Sequence, residues 1–271
     1  MILLAGSAGI PARGADLPAR LTLVDGRATI HLGSRPVRAA VGLPLPAGTL
    51  VDTDAQCQLL RVEWPDGSAL DLGGSTRLML SPPPLTGLPA GSFYLLQGFA
   101  KFSAAAPGHG WATPLLAAAP AAGVAVLSVD AGSGETLMFA ESGAWRLTQR
   151  SGSIRDALPA GAALRLSAGR NAEHLPRPPA DWLPRLPRAF RDTLPLRLAQ
   201  VAGREATAEA LPPLPYAELQ PWLTAEPALR REFPHRFAQR LSEGEFRAAV
   251  RAHLRQHPEW TALLDPPRKK P

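Results

Sequence analysis

The chain has 271 residues, enough to bury one large core or two small ones, and its 45% apolar content argues against global disorder. Thirty Pro and 24 Gly keep helices short and turns frequent. The first 150 residues carry ten basic and ten acidic side chains and the remainder nineteen and thirteen, so the whole +6 charge falls on the C-terminal part.

A pI near 10.4 points weakly to an acidic partner. One cysteine, Cys57, excludes an internal disulfide and a thiolate metal cluster, and its strand-like setting predicts a buried thiol acting as a small hydrophobe. Residues 1–15 read as a signal-peptide remnant. Ile2-Leu3-Leu4 is apolar, small residues follow, and Ala12-Arg13-Gly14 has a cleavage-like arrangement. That predicts a periplasmic or secreted protein. No stretch reaches transmembrane length, so no transmembrane span is expected.

Residues 16–168 carry the punctuation of an all-β domain. Leu21–Val24 and Ala28–Leu32 flank Asp25-Gly26-Arg27, a hairpin signal. Leu50–Thr53 follows, then Cys57–Trp64 with Leu60, Val62 and Trp64 on one face. Asp66-Gly67 turns the chain into Ser68–Leu72, and Gly73-Gly74 leads to Thr76–Leu80, which Pro82-Pro83-Pro84 ends. Ser92–Gln97 and Phe99–Ser103 read as a pair around Gly98. Val124–Val129, Glu135–Ala140 and Gly143–Leu147 close the series, with Ala162–Leu166 as a candidate last strand. Many short strands at regular turn spacing predict a mainly β sandwich or barrel-like closure.

Residues 169–187, with Pro176-Arg177-Pro178-Pro179, read as an extended linker. From 188 to 265 the period becomes helical and the chain basic. Arg188–Val201 sets Phe190, Leu194, Leu198 and Val201 on one face, although Pro195 should break it. Tyr216–Leu223 and Ala225–Phe233 read as short helices. Ser242–Gln256 is the clearest helix, with Ser242 and Glu245 as a capping box and Phe246, Val250 and Leu254 on one face. Residues 266–271 are expected to be disordered.

Taken as a unit, residues 21–147 resemble a FecR-type domain. The resemblance rests on Val24-Asp25-Gly26, the entry Val41-Gly42-Leu43-Pro44-Leu45-Pro46-Ala47-Gly48-Thr49-Leu50, and Asp52-Thr53. It continues through Val62-Glu63-Trp64-Pro65-Asp66-Gly67-Ser68, Leu70-Asp71-Leu72, Leu78-Met79-Leu80, Leu95-Leu96-Gln97-Gly98 and Ala112-Thr113-Pro114. It implies a FecR-like β domain in a stand-alone form, lacking the anti-sigma and transmembrane segments of FecR proper. It also implies protein–protein signalling or contact with a cell-envelope polymer, without choosing between them. These motifs are turn glycines and strand leucines, which speak to fold rather than chemistry. The Ala-rich stretch 117–123 and the helical region after 180 depart from the family pattern.

Motifs that could carry chemistry are few. His253 and His257 stand four apart, a spacing that can hold a metal, but no third ligand accompanies them and solvated helix-end histidines are the expectation. Asp52, Asp54, Glu63, Asp66 and Asp71 cluster in sequence, yet turn and outward strand positions account for Asp66 and Asp71. No nucleophile elbow, Walker or dinucleotide fingerprint is present. The sequence therefore predicts no enzyme, no cofactor and no metal.

Trp64 and Trp145 follow the strand pattern into the core. Trp182, Trp222 and Trp260 are expected to staple the helices together. Trp111, beside Gly108-His109-Gly110, is the candidate surface contact, with a core position as the alternative. Arg230, Arg231, Arg236, Arg240, Arg247, Arg251 and Arg255 recur through the last helices, and Arg247, Arg251 and Arg255 share a face by spacing. That face is either simply solvated or docks an envelope protein or anionic envelope polymer. Nucleic acid is not expected as a partner, because no recognition module is visible.

Overall fold

The computed structural model describes residues 18–83, 93–119, 121–150, 155–204 and 206–265. The expected leader (1–15) and disordered tail (266–271) lie outside the described residues. The first strands are β1 (Ala19–Asp25), β2 (Ala28–Leu32), β3 (Arg35–Arg38), β4 (Pro44–Leu45), β5 (Leu50–Thr53), β6 (Leu59–Glu63), β7 (Ala69–Leu72) and β8 (Arg77–Leu80). Then come β9 (Phe93–Ala104), β10 (Trp111–Ala112), β11 (Leu116–Ala118), β12 (Gly123–Val129) and β13 (Thr136–Ser142). The last are β14 (Trp145–Gln149), β15 (Arg155–Leu158), β16 (Ala163–Leu166) and β17 (Glu173–Leu175).

These strands form one hydrogen-bonded array with two wings that share β9. Wing A runs β4-β1-β6-β7-β9-β12-β13-β16-β17. Wing B runs β3-β2-β5-β8-β9-β10-β11-β14-β15. Among the described residues, only β9 and β10 pair in parallel. The wings face each other across a core that includes Leu21, Val62, Leu70 and Leu127 from wing A and Ile30, Val51, Leu78 and Leu147 from wing B. The mainly β expectation holds, with short helices confined to the C-terminal part.

The stretch around Gly98 is not a pair of strands. It is one twelve-residue strand whose first half pairs with β8 in wing B and whose second half pairs with β12 in wing A. Gly98, at φ 94°, makes the bend, because a Cβ there would stand 2.4 Å from Thr76 Oγ1. A turn glycine in sequence is here a corner glycine.

The segment read as a linker is seated on the sheet. After β17 the chain crosses the outer face of wing A as a strap from Trp182 to Leu198. Trp182, 3% exposed, and Phe190 pack on Leu59, Val126 and Leu137. Trp182 therefore joins wing A rather than the helices. The expected helix over 188–201 reduces to a 3-10 turn, Arg188–Arg191, an extended stretch through Pro195, and one turn, α1 (Leu198–Val201). Proline removes the amide that an α-helix needs there, and the apolar side chains find wing A instead. Beyond it, Ala210 bridges Val37, and Leu211 N donates to Pro36 O at 3.0 Å, adding a rim to the β3 edge.

The remaining helices are α2 (Tyr216–Leu223), α3 (Pro227–Arg230), α4 (Phe233–Arg236), α5 (Gly244–Ala252) and α6 (Thr261–Leu264). They cap the outer face of wing B. The capping box does not form. Ser242 closes a 3-10 turn and its hydroxyl donates to Gln239 O, so α5 starts two residues later, with Glu243 as N-cap. No described helix is long and apolar enough to cross a membrane.

Candidate functional site

The helical cap rests on Leu50, Met79, Tyr94, Ala112 and Ala117 of wing B, which meet Leu219, Trp222, Phe233, Phe237, Phe246 and Trp260. Side chains lock it in place. Trp222 Nε1 donates to Asp52 Oδ1 at 3.0 Å, and the other oxygen of Asp52 lies 3.2 Å from His31 Nε2. Arg236 donates to the carbonyls of His31, Gly33 and Gly48 at 2.9, 2.7 and 2.7 Å. Burial pulls this guanidinium down to about 10, so it stays charged at neutral pH. Arg150 bridges Glu226 and the Thr113 carbonyl, at 2.5 and 3.2 Å.

The arginines of the cap thus separate into two groups. Arg230, Arg236 and Arg240 are braces. Arg230 holds Glu259 at 2.8 Å, while Arg240 pairs with Glu243, donates to Leu214 O and lies 4.3 Å over the Phe246 ring. Arg231, Arg247, Arg251 and Arg255 are exposed. On α5, Phe246 and Val250 are buried against the cap, and Arg247 and Arg251 stand on the exposed side. Arg255 lies in the turn after α5, so the helical four-residue relation joins Arg247 and Arg251 only. Arg247 Nε donates to Leu241 O at 2.6 Å, which orients the guanidinium near the surface. Arg251 meets Asp265 at 3.7 Å with both side chains mostly exposed, a contact of about 1 kcal/mol or less that an anionic partner can displace.

Trp111 is not at the surface. It is fully buried in the core, with its ring 6.4 Å from Trp145, and its strand pairs with β9 and β11. The Gly-His-Gly sequence hides a two-residue strand too short to show alternation. Trp64 and Trp145 are core as expected, and Cys57 is buried with its thiol 3.5 Å from Asp25 O.

The helix-end histidines differ from the expectation: His257 is enclosed and His253 is only half-exposed. His257 is fully buried, with Nε2 2.7 Å from the Tyr216 hydroxyl and Nδ1 without a partner. His253 stacks on Tyr216 at 5.0 Å. Among the described residues no group of three His, Cys, Asp or Glu side chains is placed to hold a metal ion.

The acidic cluster disperses. Asp52 anchors Trp222, Asp66 accepts from Ser68 N in its own turn, and Asp71 grips Arg61 through two bonds of 2.6 and 2.8 Å. Asp71 does point outward from the sheet, but the strap buries it. Sequence reasoning missed this buried network. Its signal was present in the alternation of charge with leucine and valine in Leu59-Leu60-Arg61-Val62-Glu63.

No family model matches the chain, and no curated protein matches it in sequence. Two solved structures of a candidate anti-sigma factor from Parabacteroides distasonis ATCC 8503 are similar to it. One aligns with TM-score 0.39 and 12% identity, and the other with 0.38 and 11%. Each alignment covers 46% of this chain and 58% of the other, so the chain spans little more than half the length of those proteins.

Proposed function

We propose that the chain is a non-enzymatic binding or scaffold protein of the bacterial envelope, periplasmic or secreted, that docks an anionic partner through Arg247, Arg251 and Arg255. The observation that supports this reading is the contrast within the cap. Its bracing arginines, buried or half-buried, are consumed by carbonyls and carboxylates, while these three face solvent on a base braced against wing B. Permanently charged guanidinium groups on a rigid base suit carboxylate- or phosphate-bearing surfaces, because little ordering remains to be done on binding. The same reading accommodates an envelope protein with an acidic face or an anionic envelope polymer.

A second reading is relay of an envelope signal to a separate membrane-bound anti-sigma factor. Its support is the FecR-type motif series in residues 21–147, whose glycine turns and leucine strands coincide with the strands of both wings.

The test is retention of the full chain on an immobilised envelope fraction, at low and then moderate salt. Arg247→Glu combined with Arg251→Glu should weaken retention by about tenfold or more and flatten its salt dependence, with the melting temperature unchanged. Retention equal to that of the wild type would remove the arginine face from the binding role. Capture of a membrane anti-sigma factor, insensitive to both substitutions, would favour the second reading.

A further inference from the structure

The outer face of wing A holds four charged side chains that are almost fully covered: Arg61 is 4% exposed, Glu63 0%, Asp71 3% and Lys101 5%. Arg61, Asp71, Lys101, Val126 and Phe139 stand in one register row across β6, β7, β9, β12 and β13. The row alternates basic, acidic, basic and then becomes apolar. Neighbouring charges in such a row satisfy one another across the ladder. Asp71 fixes Arg61 through two hydrogen bonds, and Glu141 meets Lys101 at 3.0 Å. The arrangement of this floor is therefore set by the sheet itself.

What the floor reads is main chain. Lys101 Nζ donates to Phe190 O at 2.7 Å, and Arg61 Nη1 donates to Leu194 O and Pro195 O at 3.1 and 3.2 Å. The Glu63 carboxylate accepts from the amides of Arg197 and Leu198 at 2.9 and 2.7 Å. The buried side-chain anchors are Trp182 and Phe190, which sit on Leu59, Val126 and Leu137 with Leu186, Ala189 and Leu194 packed beside them, and Trp182 Nε1 donates to Ser128 Oγ at 2.7 Å. The strap pairs with no strand of wing A among the described residues. Pro184, Pro187 and Pro195 hold it in short turns and extended backbone.

This is the arrangement of a peptide in a groove. The cleft has charged readers for carbonyls and amides, a pair of aromatic anchors eight residues apart, and a ligand whose prolines lower the entropy lost on binding. The floor of wing A carries ions that water can solvate if the strap lifts, so the apolar surface laid bare on opening is limited to Leu59, Val126, Leu137 and their neighbours.

We infer that the outer face of wing A is a peptide-binding groove occupied in cis by residues 182–198, and that it accepts in trans an extended, proline-interrupted segment with two bulky apolar anchors. The strap acts as a built-in competitor, setting how tightly a trans segment must bind to displace it.

The test uses the full chain and a fluorescein-labelled synthetic peptide of residues 180–199. Trp182→Ala combined with Phe190→Ala weakens the strap in cis, and fluorescence anisotropy should then show the peptide binding this variant at least about tenfold more tightly than the wild type. Adding Lys101→Met should reverse the gain. A variant that keeps its near-UV circular dichroism yet fails to bind, or binds no better than the wild type, overturns the inference. If the variant does not fold, hydrogen exchange on the wild type decides. The amides of Arg197 and Leu198 should exchange about a hundredfold faster than those of β6 and β12, and equal protection overturns the inference.

Discussion

His257 shows how one side chain ties this fold to pH. The ring is enclosed by the cap, bonded to the Tyr216 hydroxyl on one nitrogen and unsatisfied on the other. Burial holds its pKa below the usual 6.5, with His253 and Arg230 adding to the effect. The unfolded chain takes up a proton as pH falls through 6.5, whereas the folded chain resists until lower pH. Protonation therefore favours unfolding, so stability is greatest above pH 6.5 and declines as pH drops below it. Melting temperatures taken from pH 8 down to pH 5 should fall, and His257→Gln should lessen that fall relative to the wild type. An unchanged pH profile in the variant would show that His257 contributes nothing to it. Arg61 makes a contrasting case. Burial opposes its charge, yet Asp71 and Glu63 outweigh burial and hold the guanidinium above its usual range.

At the scale of elements, β9 is where the two wings are joined, and Gly98 is its weak point for substitution. Gly98→Ala would place a methyl 2.4 Å from Thr76 Oγ1 and 2.5 Å from Thr76 Cα, in a backbone conformation that L residues avoid. A loss of about 3 kcal/mol or more is expected in urea denaturation. Gly161→Ala has a similar positive φ but nothing within 4 Å, and should cost about 1 kcal/mol. Equal losses at the two sites would show that close contact at Gly98 is not the cause. Gly98 also shows where local reading stops. Asp66-Gly67 announces a turn, and β6 and β7 pair across it as a hairpin. The strands on either side of Asp25-Gly26 fall where expected, but the hairpin read there does not form, because β1 pairs in wing A and β2 in wing B, so the turn passes the chain between wings. Gly98 carries the same mark, but whether the chain reverses or passes to the other wing depends on the partners β8 and β12, which local sequence does not name. The strap fails for a related reason. Phe190, Leu194, Leu198 and Val201 do have helical spacing, but the surface that takes Phe190 and Leu194 belongs to residues more than fifty positions earlier. The arginines of the cap were legible as a group, and only the packed structure separates braces from exposed charges.

Across the whole molecule, the cap and the sheet share one apolar cluster. Leu50, Met79, Tyr94, Ala112 and Ala117 point away from the core between the wings and are covered by the C-terminal cap. Tyr94 is also enclosed beside Arg150 and Glu226, and burial pushes its hydroxyl well above the usual range, so it stays neutral. Losing the cap would expose this apolar face and break the contacts of Asp52, Arg77, Arg150 and Arg236 together. Unfolding is therefore expected to be one cooperative transition rather than two. Tryptophan positions make this measurable, since Trp222 and Trp260 report the cap while Trp111 and Trp145 report the sheet. Variants keeping only one pair, with Phe at the other tryptophans, should show coincident thermal melts within each protein by fluorescence and by far-UV circular dichroism. A Trp222 and Trp260 signal that melts well before the strand signal would make the cap an independently folding unit. In that event the exposed arginines would sit on a mobile arm, and the rigid base that supports their proposed docking role would be lost.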